Sequence, residues 1–171
     1  MSGTVFPNRL MVENVEALVT PLPGTAYLAK LREVVGSAKH SVDVMQYLWA
    51  FYPHEGILPI QQFNQGVLRQ IRQGVKYRVL LNVEARGHKL TRLNMQTKEL
   101  LLNAGAQCKF GPLSVISHSK IWIIDDDIVI LGSHNLTKLS VSKNDECSVM
   151  ITGRAVASEY RRYFDVLWSR S

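Results

Sequence analysis

Apolar positions along this chain follow two periods in turn, one near 2 and one near 3.6. Residues 10–19 read as a strand that ends at the breaker Thr20-Pro21-Leu22-Pro23-Gly24. From Thr25 to Ala38 the apolar set Leu28, Leu31, Val34 and Val35 has helical spacing. Ser41 to Ala50 is β-branched and aromatic, as a strand is. Ile60 to Gln73 returns to a helix through Phe63, Val67, Leu68 and Ile71, with Gly74 where such a helix would stop. Tyr77 to Val83 is a short buried strand, and Leu90 to Asn103 a helix stopped by Gly105. A hairpin within Ser117–Asn135, a strand at Glu146–Thr152 and a helix from Ala155 to Trp168 complete the pattern. Strands alternating with helices of this length predict an α/β fold, and the late hairpin makes its sheet mixed, with helices on both faces. No linker or internal repeat interrupts the chain, so residues 1–171 are expected to form a single domain.

The hairpin carries the polar chemistry. If its loop is even-numbered and centred on Asp126-Asp127, Lys120 faces Ser133 and His118 faces Asn135, with Cβ atoms about 4.5–5.5 Å apart. His118, Lys120, Ser133 and Asn135 then share one end of one sheet face, while Ile121 and Ile123 point to the other. An odd-numbered loop breaks that pairing. Imidazole serves as nucleophile or general acid–base, ammonium as a charge for phosphate oxygens, and hydroxyl and amide as neutral donors. A wet hairpin end whose polar groups meet only solvent is the competing reading. The run Asp125-Asp126-Asp127 reads as a solvated turn, with no metal or other cofactor implied.

Composition narrows the partners. Twenty Lys+Arg against fourteen Asp+Glu give a net charge of +6, which favours polyanions. Two cysteines, Cys108 and Cys147, make neither a disulfide framework nor a metal-ligand set. No signal-peptide pattern is visible, and no apolar run approaches the roughly 18 residues of a membrane span. A cytoplasmic location is expected, and a membrane partner is not.

The spacing His118-x-Lys120, then Asp125, then Gly132-Ser133-x-Asn135 fills every position of the H-x-K-x4-D-x6-G-S-x-N motif. In this the chain resembles the phospholipase D superfamily, in particular its small single-motif, nuclease-like members. Glu146, eleven residues after Asn135, and the aromatic helix at the C-terminus fit the same pattern. The resemblance implies phosphodiester cleavage without metal, through a phosphohistidine on one of two facing motifs. Only one copy is present here; His88-Lys89 has the wrong spacing. The resemblance therefore implies a homodimer with a shared site. In it His118 is nucleophile and acid–base, and Lys120, Ser133 and Asn135 hold the non-bridging oxygens. Glu146 orients the imidazole, and Asp125 is a structural turn residue some 20 Å from His118 at about 3.3 Å per residue.

Arg86, His88, Lys89 and Arg92 cluster between a strand end and a helix, where α/β folds gather ligand contacts. They are candidates for holding a nucleic-acid backbone, with a solvated basic loop as the alternative. His40, His54 and His134 carry no expected role. The expected activity is that of a non-specific endonuclease on DNA or RNA. A cardiolipin-type phospholipid hydrolase is the second reading, supported by the apolar run Tyr47–Tyr52 if exposed. A catalytically silent nucleic-acid-binding module is the third.

Overall fold

A computed structural model describes residues 15–52, 58–84 and 87–171. His54, Arg86 and the start of the strand expected over 10–19 lie outside them. In chain order the elements are β1 (Leu18–Pro23), α1 (Ala26–Gly36), β2 (Ser41–Gln46), α2 (Pro59–Arg72), β3 (Lys76–Leu81) and α3 (Lys89–Ala104). β4 (Gln107–Phe110), β5 (Lys120–Ile124), β6 (Ile128–Gly132), β7 (Cys147–Thr152) and α4 (Arg154–Ser169) follow. The strands form one mixed sheet in the order β1-β7-β6-β5-β2-β3-β4. Only β2–β3 and β3–β4 are parallel.

Strand alternation divides the core in two. Val42 and Val44 of β2, with Trp122 and Ile124 of β5, bury against α1, α2 and α3. Met45, Ile121, Ile123 and Val129 point the other way, onto Ala157 and Phe164 of α4. The buried Asp43 fixes α4 further: Arg78 grips both its oxygens at 2.8 and 2.6 Å, and Arg161 Nε lies 3.1 Å away. The run after β2 is core, since Trp49, Ala50 and Phe51 are buried. Trp49 is pinned there by an indole N–H donated to Asn64 at 2.9 Å. Any exposed lipid-touching role for that stretch is thereby removed.

Two expectations need correction. β1 runs through Pro21 and Pro23, both taken as breakers, because it is an edge strand paired on one side only, with β7. An edge strand tolerates residues that cannot donate to a second neighbour. The hairpin loop is odd: β5 and β6 pair as Ile121 with Leu131, Trp122 with Ile130 and Ile124 with Ile128. Asp125, Asp126 and Asp127 all lie in the turn, the first two at φ of 49° and 55°. Aspartate tolerates that left-handed backbone better than most residues. The proposed facing of Lys120 with Ser133, and of His118 with Asn135, is off by one.

Candidate active site

Because Ile121 lies opposite Leu131, the step beyond brings Lys120 level with Gly132 at the end of the ladder. Gly132 has to be glycine: a Cβ there would collide with the backbone of Cys147 and Ser148 on β7. The close approach ends β6 there. Ser133 leaves the strand alternation, its N–H donating to Cys147 O at 2.9 Å, and its hydroxyl turns to Glu146. The polar residues thus still gather at one end of the hairpin, through a strand ending rather than through cross-strand pairs.

On the β5 side, Lys120 is 6% exposed and lies opposite Gln46 of β2. Its ammonium donates to His118 O at 2.7 Å and lies 3.0 and 3.1 Å from the ring atoms Nδ1 and Nε2. So similar a distance to both nitrogens means that the amine faces the imidazole rather than binding one lone pair. Burial lowers the Lys120 pKa, and the charge of Glu146 partly opposes this. His118 itself is exposed. The residue before it, Ser117, donates its N–H to Asn82 Oδ1 at 2.9 Å, which ties the loop to the end of β3.

On the β6 side, Glu146 accepts from the Ser133 hydroxyl, from Ser140 Oγ at 2.8 Å and from Asn144 Nδ2 at 3.4 Å. Burial alone would raise its pKa; these hydrogen bonds outweigh it and hold the carboxyl below its ordinary value. Asn135 donates its backbone N–H to Ser140 Oγ at 2.8 Å, while its amide Oδ1 is buried with no hydrogen-bond partner. Within one chain, Glu146 is bonded to these loop residues and not to His118.

His134 is a framework residue. It is buried, stacked on Tyr27 at 4.1 Å, and holds Gly24 O at 3.0 Å and Ser148 Oγ at 2.8 Å. A carbonyl only accepts, so Nε2 carries the proton and Nδ1 accepts from Ser148. Burial lowers its pKa, keeping it neutral.

His88, Lys89 and Arg92 are exposed around the N-terminus of α3. His88 Nδ1 lies 3.3 Å from the Leu90 N–H and 3.2 Å from Glu84 Oε2. One nitrogen cannot cap the helix as acceptor and donate to Glu84 together, so the two contacts are alternatives. Sequence reasoning missed Tyr47, which joins this corner to the site. Its ring centroid is 4.6 Å from that of His118, and its hydroxyl donates to Glu84 at 2.6 Å. The available signal was position: Gln46 ends the strand whose tip meets Lys120, and Tyr47 is the next residue. Among the described residues there is no metal-ligand cluster and no helix long and apolar enough to cross a membrane.

Residues 31–168 match the model of the family described as cardiolipin synthase, PLD-like domain. The chain belongs to this family. It is thus a member of the phospholipase D superfamily. As a PLD-like domain it is 25% identical over 146 residues to the virion nicking-joining enzyme of vaccinia virus. It is 22% identical over 173 residues to the 5'-3' exonuclease PLD3 of Xenopus tropicalis. Those alignments cover 80% and 92% of this chain but 32% of each relative, so the chain spans about a third of their length. Among solved structures it superposes on Nuc, a phospholipase D family member from Salmonella typhimurium, with a TM-score of 0.73 and 22% identity. That match covers 91% of this chain and 96% of the other. NucT from Helicobacter pylori gives 0.72 and 16%, covering 91% and 98%. The mixed seven-stranded sheet with its helices has the α/β fold of these phospholipase D family structures.

Proposed function

We propose that this PLD-like domain is a metal-independent phosphodiesterase, a non-specific endonuclease on DNA or RNA, working as a homodimer with one shared site. One observation carries the reading: an exposed imidazole, His118, packed against the largely buried ammonium of Lys120 at the tip of the sheet. That pair supplies a nucleophile and a charge to receive a phosphate. Lys120 from each subunit would offset the charge that builds on phosphorus, and Ser133 and Asn135 would add neutral donors. One His118 attacks phosphorus, the P–O bond breaks, and the other His118 protonates the departing oxygen. The second imidazole then takes a proton from water, whose attack frees the first histidine.

Two features support sharing. His134, two residues from Gly132, is buried in framework bonds, so among the described residues His118 is the one imidazole exposed beside Lys120. Leu113, Val115 and Ile116, just before His118, and Leu139, just after Asn135, are all exposed. An isologous contact would cover this apolar rim and bring the two copies of His118 together. The net charge of +6 and the names of the nicking-joining and exonuclease relatives favour nucleic acid as substrate. The same rim favours a second reading, an anionic phospholipid hydrolase, in keeping with the family's description.

The test is one assay in EDTA with labelled single- and double-stranded DNA, RNA, and anionic liposomes, run beside light scattering. Cleavage of nucleic acid by a dimer, undiminished by chelation, is expected. Activity confined to liposomes selects the second reading, and binding without cleavage selects a silent nucleic-acid-binding module. An active monomer, or activity that returns only with magnesium, overturns the shared metal-free site.

A further inference from the structure

An exposed nucleophile needs something to hold it still. The His118 ring has the Lys120 ammonium beside it and, among the described residues, one aromatic ring, Tyr47, whose centroid lies 4.6 Å away at an interplanar angle of 55°. The same Tyr47 ring lies 5.0 Å from Lys120 Nζ, within reach of a cation–π contact. Tyr47 therefore touches both members of the pair that the proposed chemistry uses.

The ring is itself fixed at its far end. Its hydroxyl donates to Glu84 Oε1 at 2.6 Å, the short distance of a charge-assisted bond. Glu84 is held in turn: its N–H donates to Thr91 Oγ1 at 2.9 Å, and Thr91 is buried on α3. A chain of contacts thus runs from α3 through Glu84 and Tyr47 to His118. The tilted ring contact and the anchor make the phenol a brace, and the strong bond to Glu84 raises its pKa, as does burial to a lesser degree, so it stays protonated.

We infer that Tyr47, anchored by Glu84, is a positioning residue that sets the orientation of the His118 imidazole and the Lys120 ammonium for attack on phosphorus. The inference rests on His118 being the reacting group. Tyr47 gives or takes no proton in it; the ring limits imidazole rotation and shields one side of the pair from water. Its effect is on the geometry of the attack, where small misplacements are expensive.

The experiment compares Tyr47→Leu, Tyr47→Phe, Glu84→Ala and the Tyr47→Phe/Glu84→Ala double variant with His118→Ala. Each is assayed on a labelled oligonucleotide and on bis(para-nitrophenyl) phosphate, with thermal melts and proton NMR of the His118 ring. Tyr47→Leu is expected to lower kcat on the order of ten- to a hundred-fold with KM nearly unchanged. Its His118 ring protons should move as the tyrosine ring current is lost. Tyr47→Phe keeps the ring and loses the anchor, so its loss should be smaller and equal to that of Glu84→Ala. The double variant should lose no more than either single one, because all three cut the same bond.

A Tyr47→Leu protein with full kcat overturns the inference, as does a change in KM alone, which would make Tyr47 a substrate contact. If Tyr47→Leu does not fold, the cycle decides: additive losses in Tyr47→Phe and Glu84→Ala refute the brace, and shared losses support it. An active His118→Ala protein would instead remove the assignment of the nucleophile, whatever Tyr47 does. A silent His118→Ala beside a fully active Tyr47→Leu removes the positioning role alone.

Discussion

The two ends of the β5–β6 hairpin belong to one sequence motif and are built in opposite ways. At the turn, each of the three aspartates has a partner. Asp125 accepts the N–H groups of Lys39, His40 and Ser41 at 2.8, 2.8 and 2.9 Å, Asp126 meets Arg161 at 2.6 Å, and Asp127 O accepts from Gly153 at 2.8 Å. At the other end polar groups are buried and left open. Asn135 Oδ1 and Asn82 Nδ2 lack partners, and the buried Gln46 amide sits beside the Tyr27 hydroxyl at a geometry short of a hydrogen bond.

A buried group left unpaired costs about 1–3 kcal/mol. Such groups persist where a ligand completes them or where surrounding structure holds them in place. The saturated turn locks the hairpin to the rest of the sheet, and the tip is where the proposed function places the phosphate. The contrast teaches that one short motif can divide its residues between stability and chemistry, separated by the length of a strand.

The sharpest way to break the comparison is His118→Ala. Under the proposed mechanism both nucleophile and acid vanish, so turnover should fall to background. The side chain is exposed, so the melting temperature should hold. Rate and thermal melt on one preparation decide it. A variant that melts early would make His118 part of the framework, like His134.

Lys120→Ala comes next. Removing one positioned donor from a developing oxyanion costs about 3–4 kcal/mol, roughly a hundred- to a thousand-fold in kcat. Because burial lowers the pKa of Lys120, the charge should be lost on raising pH before the ordinary lysine range is reached. The alkaline limb of the kcat profile should reflect this. A profile flat through that range would detach Lys120 from the chemistry.

Much of this was legible in the chain. Helical and strand periods placed α1, α2, α3, β2, β3 and α4 within a few residues, because each buries one face against the sheet and the burial imposes the period. The motif at fixed spacing singled out His118, Lys120, Asp125, Ser133 and Asn135 as candidates by resemblance to the family, while the strand geometry read from the chain put their pairing one residue out. Three things were not legible. β4, with four residues, is too short to carry a period. The hairpin register depends on whether Asp125 pairs or turns, a single-residue choice that backbone φ decides. The Tyr47–Glu84 bond joins residues 37 apart whose meeting depends on how β2 and the β3–α3 corner are packed.

The smallest expected effect lies at the turn and concerns stability rather than rate. Asp125→Ala removes the acceptor of three N–H groups and places alanine at a φ of 49°. Hydrogen bonds to a charged group contribute about 1.5–3 kcal/mol each, and water would satisfy part of the loss at this half-buried site, so a cost of roughly 2–4 kcal/mol is expected. Asp125→Asn keeps one acceptor and tolerates the left-handed backbone, so it should cost less. The pH dependence follows from the same bonds. Burial by itself would raise the pKa of Asp125, but the three N–H donors outweigh it and lower the value below the usual 3.8. A carboxylate whose folded pKa is depressed contributes fully above its unfolded pKa and loses that contribution as pH falls through the folded value. The gap in unfolding free energy between wild type and Asp125→Asn should therefore be constant near neutrality and close as the pH drops below about 4. Denaturant melts across that range measure it, and kcat of the folded Asp125→Asn protein should stay at the wild-type level, since Asp125 lies a strand's length from His118. A gap that persists unchanged in acid would mean the turn is held by something other than the ionised carboxylate, and a lost kcat would mean the two ends of the hairpin are not separate in their work.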